Sequence, residues 1–383
     1  MTSLSVNGWY TQDGPDNDVV ISTRLRLARN LASFPFPHRE RGEDGERVLS
    51  AVLDSFAQVS DHESWQSNRV DCLPPLRRGL LMERGVLSNS DQSESPPPPA
   101  GIVLRADGCL ACTINQGDHL RISAFASGLN TADTWELCHN LDEELQRTLQ
   151  FAASYETGFL TSSLFDAGSG MKISVHAHLP AIELAGQEAF AQFLSAINGR
   201  GFVAETYYGL APNGMPFGSY YRIRNANSVG GTEFDQIAAL NSTVKYVAAM
   251  ERRFRAELLE ARPTILRDRV YRAFATVKYS RFMEEREAAI LLSDIKLGID
   301  TGIITWSEPR AGSLNALFYR IKRAHLETVI RSGNFAWERD VANQENLRIQ
   351  RMRTLVMQDA LDGLLIRGTA LEAARNTTPE IKE

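Results

Sequence analysis

Residues 101–125, GIVLRADGCLACTINQGDHLRISAF, constrain the fold more than any other part of the sequence. Three runs rich in Ile, Val and Leu are separated by Asp107-Gly108 and by Gln116-Gly117-Asp118. An Asp-Gly pair between apolar runs is a strong β-hairpin signal, because the tight turn requires residues that tolerate positive φ. The stretch therefore predicts an antiparallel meander.

Further strands and helices extend this pattern. Residues 43–60 carry apolar residues at helical spacing, and so does the segment after Asn130, which Asp133 is placed to cap. The other predicted strands begin near Val20 and at 171–179, 201–208 and 219–223, with a helix between the second and third of these four. Hairpin strands with helices on one side are typical of an α+β domain.

From about Gly230 the pattern becomes helical. Thr232 and Asp235 form a capping signature, and Pro263 interrupts the long helical run that follows. We therefore predict an α+β fold in which an antiparallel β-sheet is flanked by helices and followed by an all-helical C-terminal domain. The predicted domains are 14–230 and 231–383, and the proline-rich segment 88–101 is a predicted exposed loop.

The composition excludes several classes of function. The 383 residues are 43% hydrophobic, and 41 Lys and Arg face 47 Asp and Glu, which gives a formal charge of -6. Nucleic acid is not an expected partner, because general binding requires a basic surface that neutralises phosphates. No stretch reaches the roughly 18 apolar residues of a membrane span, and the N-terminus lacks an apolar leader segment. We expect a cytoplasmic protein with no membrane partner.

Four scattered cysteines are too few for a disulfide scaffold in a chain of this length, so reduced thiols are expected. Cys109 and Cys112 form a C-x-x-C, but no second pair completes a zinc site. His176 and His178 share a strand face without an obvious third ligand. Structural cysteines and pocket-wall histidines are the preferred interpretation, and no metal site is predicted.

The stretch DVVISTRLRLARNL, residues 18–31, raises the question of what neutralises its charges. In an extended backbone Arg24 and Arg26 lie on one face, and Arg29 follows nearby. Three guanidiniums beside an apolar strand repel one another and lose hydration. A shared anionic ligand would offset both costs, whereas the alternative is a charged edge strand that resists aggregation.

Four stretches, taken in order, resemble one family. They are GPDNDVVISTRLRLARN (14–30), NQGDHLRIS (115–123), TSSLFDAGSGMKISVHAHLP (161–180) and DRVYRAFATVKYSRFMEEREAAILLSDIKLGID (268–300). They are similar to the guanidino kinases, and LSDIKLGID resembles the bacterial protein-arginine kinase branch. The resemblance implies an antiparallel sheet that holds ATP with Mg²⁺, and phosphoryl transfer from ATP to a guanidinium nitrogen of protein arginine.

The resemblance also implies which residues contact the nucleotide. Phosphoryl transfer relies on positioning and charge neutralisation, and the family surrounds the phosphates with arginines. Arg24, Arg26 and Arg121 match three of them. The implied nucleotide-binding residues are Ser22, Thr23, Arg24, Leu25, Arg26, Arg121, Lys172, Ile173, Ser174, Val175 and His176.

The chain departs from the family where the substrate guanidinium is handled. A guanidinium is a poor nucleophile, which must be oriented and deprotonated by carboxylates. The family form NEEDHLR reads NQGDHLR here, so Gln116 and Gly117 occupy both glutamate positions. Asp118 matches the family's own aspartate and is counted as the ordinary residue. No catalytic residue is therefore assigned.

Other family positions also differ. The arginine of the pattern GLRASV is Lys172, which loses the planar bidentate fork, and the cysteine of TSC is Ser163. In the pattern RGxxGE the arginine falls on Glu205 and the glutamate on Leu210. A carboxylate at Glu205 is expected to repel phosphate.

The C-terminal part shows a similar loss. In the protein-arginine kinases a helical motif, RDxxRA, forms a phosphoarginine site. Its nearest match here begins with Arg339 and Asp340 and lacks the second arginine. A helix-surface pair is the preferred interpretation.

Three functions stay open. The first is an ATP:guanido phosphotransferase acting on protein arginine, and the second is a pseudokinase that keeps a nucleotide pocket and a regulatory protein partner. The third is a purely structural dimerisation protein. The missing carboxylates favour the second, whereas the surviving arginines argue against the third. A homodimer is left open.

Overall fold

The computed structural model describes residues 8–39, 43–88, 99–212, 214, 216–307 and 314–366. Most of the predicted proline-rich loop, 89–98, lies outside the described residues. In chain order the strands are β1 (Val20–Arg29), β2 (Trp65–Arg69), β3 (Gly101–Arg105), β4 (Leu110–Gln116), β5 (Asp118–Ser127), β6 (Ala153–Ser154), β7 (Gly158–Phe159), β8 (Met171–His178), β9 (Phe202–Thr206), β10 (Tyr220–Asn225), β11 (Ile304–Trp306) and β12 (Leu364–Ile366).

Eight of these strands form one antiparallel sheet in the order β2-β3-β4-β5-β1-β8-β10-β9. The predicted meander is confirmed as β3, β4 and β5, with Asp107-Gly108 in the first turn and Gly117 alone between the next two strands. The strand β1 lies in the middle of the sheet, between β5 and β8. Its two arginines are therefore not on an edge strand.

The helices are α1 (Asp44–Phe56), α2 (Pro75–Glu83), α3 (Thr131–Gln146), α4 (Pro180–Leu184), α5 (Gln187–Asn198), α6 (Glu233–Ala261), α7 (Pro263–Tyr279), α8 (Glu285–Asp300), α9 (Leu317–Arg320), α10 (Arg323–Ser332) and α11 (Glu345–Ala360). The predicted caps are confirmed. Asn130 accepts from the backbone N–H of Asp133, and Thr232 with Asp235 forms a capping box.

One face of the sheet packs against α1, α3, α5 and α6. Leu25 and Leu27 of β1 and Ile173 and Val175 of β8 are fully buried in this layer. Val244 of α6 joins the same core cluster. Because apolar side chains alternate with polar ones along β1 and β8, the polar residues between them are on the opposite face.

The opposite face is covered in part by the C-terminal region. Phe125 of β5 and Tyr220 of β10 belong to a second core cluster with Ile295 of α8 and Phe318 of α9. The fold class is confirmed, and a two-stranded ribbon, β11 with β12, is added to the helical C-terminal region. Among the described helices, none is both long enough and apolar enough for a membrane span.

The predicted domain boundary near residue 230 stays a prediction. Helix α6 begins just after it and packs on the sheet of the preceding part of the chain.

Arg29 is not part of a shared anion site, contrary to its grouping with Arg24 and Arg26. It lies on the helix-covered face, where its guanidinium makes a bidentate ion pair with Asp142 of α3 at 2.9 and 3.0 Å. The side chains of Arg29 and Asp142 are 2% and 5% exposed. The guanidinium also stacks over Phe159, 3.6 Å from the ring centroid. Its charge is neutralised within the core.

We predict that Asp142→Ala lowers the free energy of unfolding by about 3–5 kcal/mol, because it leaves a buried guanidinium without its counter-charge. The double variant Arg29→Met/Asp142→Leu is expected to lose much less, because it removes both charges. Urea denaturation of the three proteins measures the difference. Equal losses in the single and double variants would contradict the prediction.

Candidate functional site

Six of the predicted nucleotide residues lie side by side on the sheet face that α3 does not cover, which are Ser22, Arg24 and Arg26 of β1 and Lys172, Ser174 and His176 of β8. In the antiparallel register Ser22 is opposite His176, Arg24 is opposite Ser174, and Arg26 is opposite Lys172. On the other side of β8, Arg222 and Arg224 of β10 are opposite His176 and Ser174. Since side chains opposite each other share a face, this surface carries one continuous group of polar and cationic side chains.

These side chains line a cavity of about 390 Å³. Its other walls come from the start of the chain, from the end of α2 and from the C-terminal region. The residues lining it include Trp9, Met82, Arg84, Phe125, Tyr207 and Tyr319. We call this cavity the basic cleft.

The other implied nucleotide residues are placed differently. Leu25, Ile173 and Val175 are buried in the core on the opposite face. Thr23 borders the basic cleft, but its hydroxyl donates to the backbone carbonyl of Gly128 at 2.6 Å. Contacts from these four residues to a ligand in the cleft would have to come from the backbone.

The positive charge of Arg24, in the basic cleft, is not paired with a carboxylate of any described residue. Its Nε is buried without a hydrogen-bond partner, and its guanidinium makes no ion pair with any described residue. The group stacks over Phe125, 5.4 Å from the ring centroid. Burial, followed by the charges of Arg26 and Arg222, lowers the pKa of Arg24. An anion in the cleft would relieve both effects.

Asp166 pairs with two neighbouring cations, Arg26 and Lys172. Its carboxylate is 3.1 Å from Nη2 of Arg26 and 3.6 Å from Nζ of Lys172. The aspartate lies in the loop between β7 and β8 and is buried. The sequence analysis did not identify it, because a loop residue has no periodicity that points to its partners.

Glu205 was expected to repel phosphate, but two arginines compensate its charge. Arg222 donates to one carboxylate oxygen of Glu205, at 3.2 Å from Nε, and Arg224 donates to the other at 2.6 and 3.1 Å. Burial alone would raise the pKa of Glu205, but these hydrogen bonds outweigh it and lower the pKa. The alternation of Arg222 and Arg224 in YYRIRN is the signal that the sequence analysis missed.

The C-terminal region contributes two further residues. The Tyr319 hydroxyl is 2.9 Å from Oγ of Ser22, which in turn is 3.0 Å from Nδ1 of His176. Lys322 is buried and has no ion-pair partner among the described residues, and its ammonium donates to the backbone carbonyl of Glu83 at 3.2 Å and to Tyr207. No local sequence signal marks these residues, because they meet β1 only through tertiary packing.

His176 is held neutral. Burial, and then the charges of Lys322 and Arg222, lower its pKa well below the usual value. In the parts of the chain that the structure describes, no three His, Cys, Asp or Glu side chains are grouped to hold a metal ion.

Arg121 does not line the basic cleft. Its Nε donates to the Asp118 carboxylate at 3.0 Å. Asp118 is fully buried and also accepts from Asn30 at 3.0 Å and from the backbone N–H of Ser162 at 2.8 Å. Burial would raise the pKa of Asp118, but the charge of Arg121 and these hydrogen bonds lower it. Asp118 is thus an ionised structural residue.

The two positions of the missing glutamates lie in the turn beside Asp118. Gln116 is buried, and Gly117 has φ of +80°. A Cβ at Gly117 would lie 2.1 Å from Nη2 of Arg121. Leu210, at the other missing glutamate, is exposed, and Ser163 lies in the loop that bears Asp166. A side chain at Gly117 would therefore require a strained backbone and a displaced Arg121 guanidinium.

The predicted remnant of the phosphoarginine motif is not helical. Arg339 and Asp340 are exposed and lie in a turn before α11. A helix-surface pair is therefore the wrong description of these residues, although they are at the surface as expected.

Comparisons with known proteins agree with this arrangement. Residues 47–254 match the family described as ATP:guanido phosphotransferase, C-terminal catalytic domain, and residues 263–360 match that described as Protein-arginine kinase McsB C-terminal domain. A protein of Pelotomaculum thermopropionicum named protein-arginine kinase is 33% identical over 340 residues, which are 87% of this chain and 92% of that protein.

Solved structures of guanidino kinases have a similar fold. Lombricine kinase superposes with a TM-score of 0.54 at 19% identity, covering 68% of this chain and 71% of the other. The substrate-free duplicated taurocyamine kinase from Schistosoma mansoni superposes with a TM-score of 0.56 at 20% identity, and the match covers 70% of this chain and 40% of that one.

We predict that Gly117→Ala destabilises the protein more than Gly108→Ala. Both glycines have positive φ, +80° and +73°, so both variants carry a similar backbone strain of about 1–2 kcal/mol. A Cβ at Gly108 has nothing within 4 Å, whereas one at Gly117 meets the guanidinium of Arg121. Overpacking adds about 1–3 kcal/mol, which urea denaturation resolves. Equal losses would mean that Arg121 moves aside without cost.

Proposed function

The chain belongs to the ATP:guanido phosphotransferase family, in its protein-arginine kinase branch, and we propose that it binds ATP–Mg in the basic cleft without transferring phosphate. The observation that carries the nucleotide site is Arg24, a half-buried arginine whose Nε is buried without a hydrogen-bond partner and whose charge has no counter-charge among the described residues. Buried charges in proteins are normally paired or bind a ligand. The site therefore suits a polyanion such as a triphosphate.

The surrounding charges suit the same ligand. Arg26 and Lys172 lie next to each other on the sheet, on one side of Arg24, and both pair with the carboxylate of Asp166. Two cations and one carboxylate leave a net positive charge, and phosphate oxygens can compete with the carboxylate for both donors. Preorganised cations of this kind neutralise phosphate in the family's reaction.

The proposed loss of transfer follows from the turn between β4 and β5. Gln116 is uncharged, Gly117 has no side chain, and the nearby Asp118 already accepts three hydrogen bonds. Removing a general base costs roughly 10²- to 10⁴-fold in rate. The chain would therefore act as a pseudokinase, a nucleotide-binding regulatory protein with a protein partner.

A second candidate is an active phosphotransferase acting on protein arginine, as the name of the Pelotomaculum relative suggests. One observation favours it. Asp166 pairs with two residues that line the basic cleft, and nucleotide binding to Arg26 and Lys172 would release its carboxylate to accept a proton from a guanidinium.

The cytoplasm remains the proposed compartment. All four cysteines are free thiols, which fits a reducing environment. A homodimer remains a proposal without further support.

We predict that Arg24→Met weakens ATP–Mg binding by about tenfold or more, because a charge-assisted contact contributes roughly 1.5–3 kcal/mol. The same variant is expected to keep or raise the unfolding free energy, because it removes a half-buried charge that has no ion-pair partner among the described residues. Calorimetry at several millimolar ATP–Mg and urea denaturation test the two expectations. The surface variant Arg253→Met, whose arginine is 57% exposed, is the control. Undiminished binding by both Arg24→Met and Arg24→Ala/Arg26→Ala would show that ATP does not occupy this cleft.

We predict no phosphoarginine on an arginine-rich test protein, or on the chain itself, after incubation with ATP–Mg. Mass spectrometry measures the product, and Arg24→Met gives the background. Phosphoarginine above this background would contradict the pseudokinase proposal. Its loss in Asp166→Asn would then support the second candidate and assign the proton acceptor.

A further inference from the structure

Arg222 and Arg224 stand out because they face the basic cleft but belong to no predicted motif. Both line its wall, and both are on β10, directly beside the β8 residues His176 and Ser174. Their positive charges affect the pKa values of residues in the proposed nucleotide site. Arg222 contributes to the lowered pKa of Arg24 and of His176, and Arg224 contributes to that of Lys172.

Glu205 holds the two guanidiniums in a fixed arrangement. Each of its carboxylate oxygens accepts from Nε and Nη2 of one arginine, so that one carboxylate orients both side chains. Nη1 of Arg222 makes no hydrogen bond to a described residue, and Nη1 of Arg224 donates only to the Asn225 carbonyl at 3.4 Å. The arginines therefore keep donors for a further acceptor.

The charge of this group has the sign that a phosphate site needs. Two guanidiniums and one carboxylate leave a net charge of +1. By resemblance to the guanidino kinases, position 205 corresponds to a single arginine, which also carries +1. The carboxylate of Glu205 thus places a negative charge where the family has a positive one. Its two arginine partners on β10 restore the net charge of the group to +1.

We propose that Arg222 and Arg224 bind the phosphate groups of the nucleotide in place of the arginine expected at position 205, and that Glu205 positions them. The inference rests on the proposed ATP site. The variant Glu205→Arg alone brings three guanidiniums together without a carboxylate, so we expect it to weaken ATP binding.

The test compares ATP–Mg affinity by calorimetry in matched variants. Arg222→Gln/Arg224→Gln is expected to weaken binding by about tenfold or more, because charge-assisted contacts are lost. The triple variant Glu205→Arg/Arg222→Gln/Arg224→Gln restores a net charge of +1 and is expected to recover most of the affinity. Arg253→Gln/Arg272→Gln removes two exposed arginines that pair only within their own helices, and is expected to bind like the wild type.

Glu205→Gln separates positioning from simple charge balance. If Glu205 orients the arginines, its removal weakens ATP binding several-fold even though the cleft becomes more positive. If it only offsets their charge, the same variant binds ATP more tightly, which would overturn the positioning role. Thermal melting of every variant checks that it is folded.

The outcomes distinguish this inference from the proposed function. Wild-type binding that is lost in Arg24→Met but unchanged in Arg222→Gln/Arg224→Gln would overturn the inference and leave the ATP site in place. No ATP binding by the wild type at several millimolar would overturn both. Weaker ATP binding in the double variant, with recovery in the triple variant, supports the proposal that Arg222 and Arg224 on β10 replace an arginine at position 205 on β9.

Discussion

The basic cleft depends on one constraint, which is that like charges on one face of a sheet must be balanced. The two-residue repeat of β1, β8 and β10 brings five cationic side chains to this face, which are Arg24, Arg26, Lys172, Arg222 and Arg224. Asp166 pairs with Arg26 and Lys172, and Glu205 pairs with Arg222 and Arg224. Arg24 has no ion-pair partner among the described residues and stacks over Phe125. Five cations and two carboxylates therefore leave a net positive charge at the cleft.

The C-terminal region covers this face without balancing its charge. Its described residues bring no carboxylate to Arg24, whereas Tyr319 lines the cleft and Lys322 places another cation against Tyr207 of the cleft wall. Rings of Tyr207, Phe318 and Tyr319 lie 4.5–5.0 Å from the Lys322 ammonium and stabilise it by cation–π contact. Burial, together with this added positive charge, lowers the pKa of His176 and keeps it neutral, so that one ring nitrogen can donate and the other can accept a hydrogen bond.

Local patterns in the sequence were sufficient for most of the fold. The Asp107-Gly108 turn and the caps at Asn130 and Thr232 are each specified by neighbouring residues, and all are present. The alternation of Arg24 with Arg26 correctly predicted a shared face. The partners of these arginines were not predictable in the same way, because Asp166 is brought to them by a loop 140 residues away in sequence. The same is true of Arg29. Its carboxylate partner lies on α3, far from Arg29 in sequence, and no local pattern relates the two residues.

In the proposed function, the residues that bind phosphate and the positions that would handle the guanidinium lie in different parts of the fold. This separation determines what the missing carboxylates change. The proposed phosphate contacts come from β1, β8 and β10, whereas the glutamate positions lie in the turn between β4 and β5, where Gly117 lies beside the guanidinium of Arg121. Arg121 and Asp118 secure that turn without any ligand. In the proposed function, a change at this turn removes a group that acts in the transition state, whereas the proposed contacts of the nucleotide lie elsewhere on the sheet. The proposed loss of transfer is therefore compatible with the proposed binding of ATP, because the two depend on different parts of the sheet.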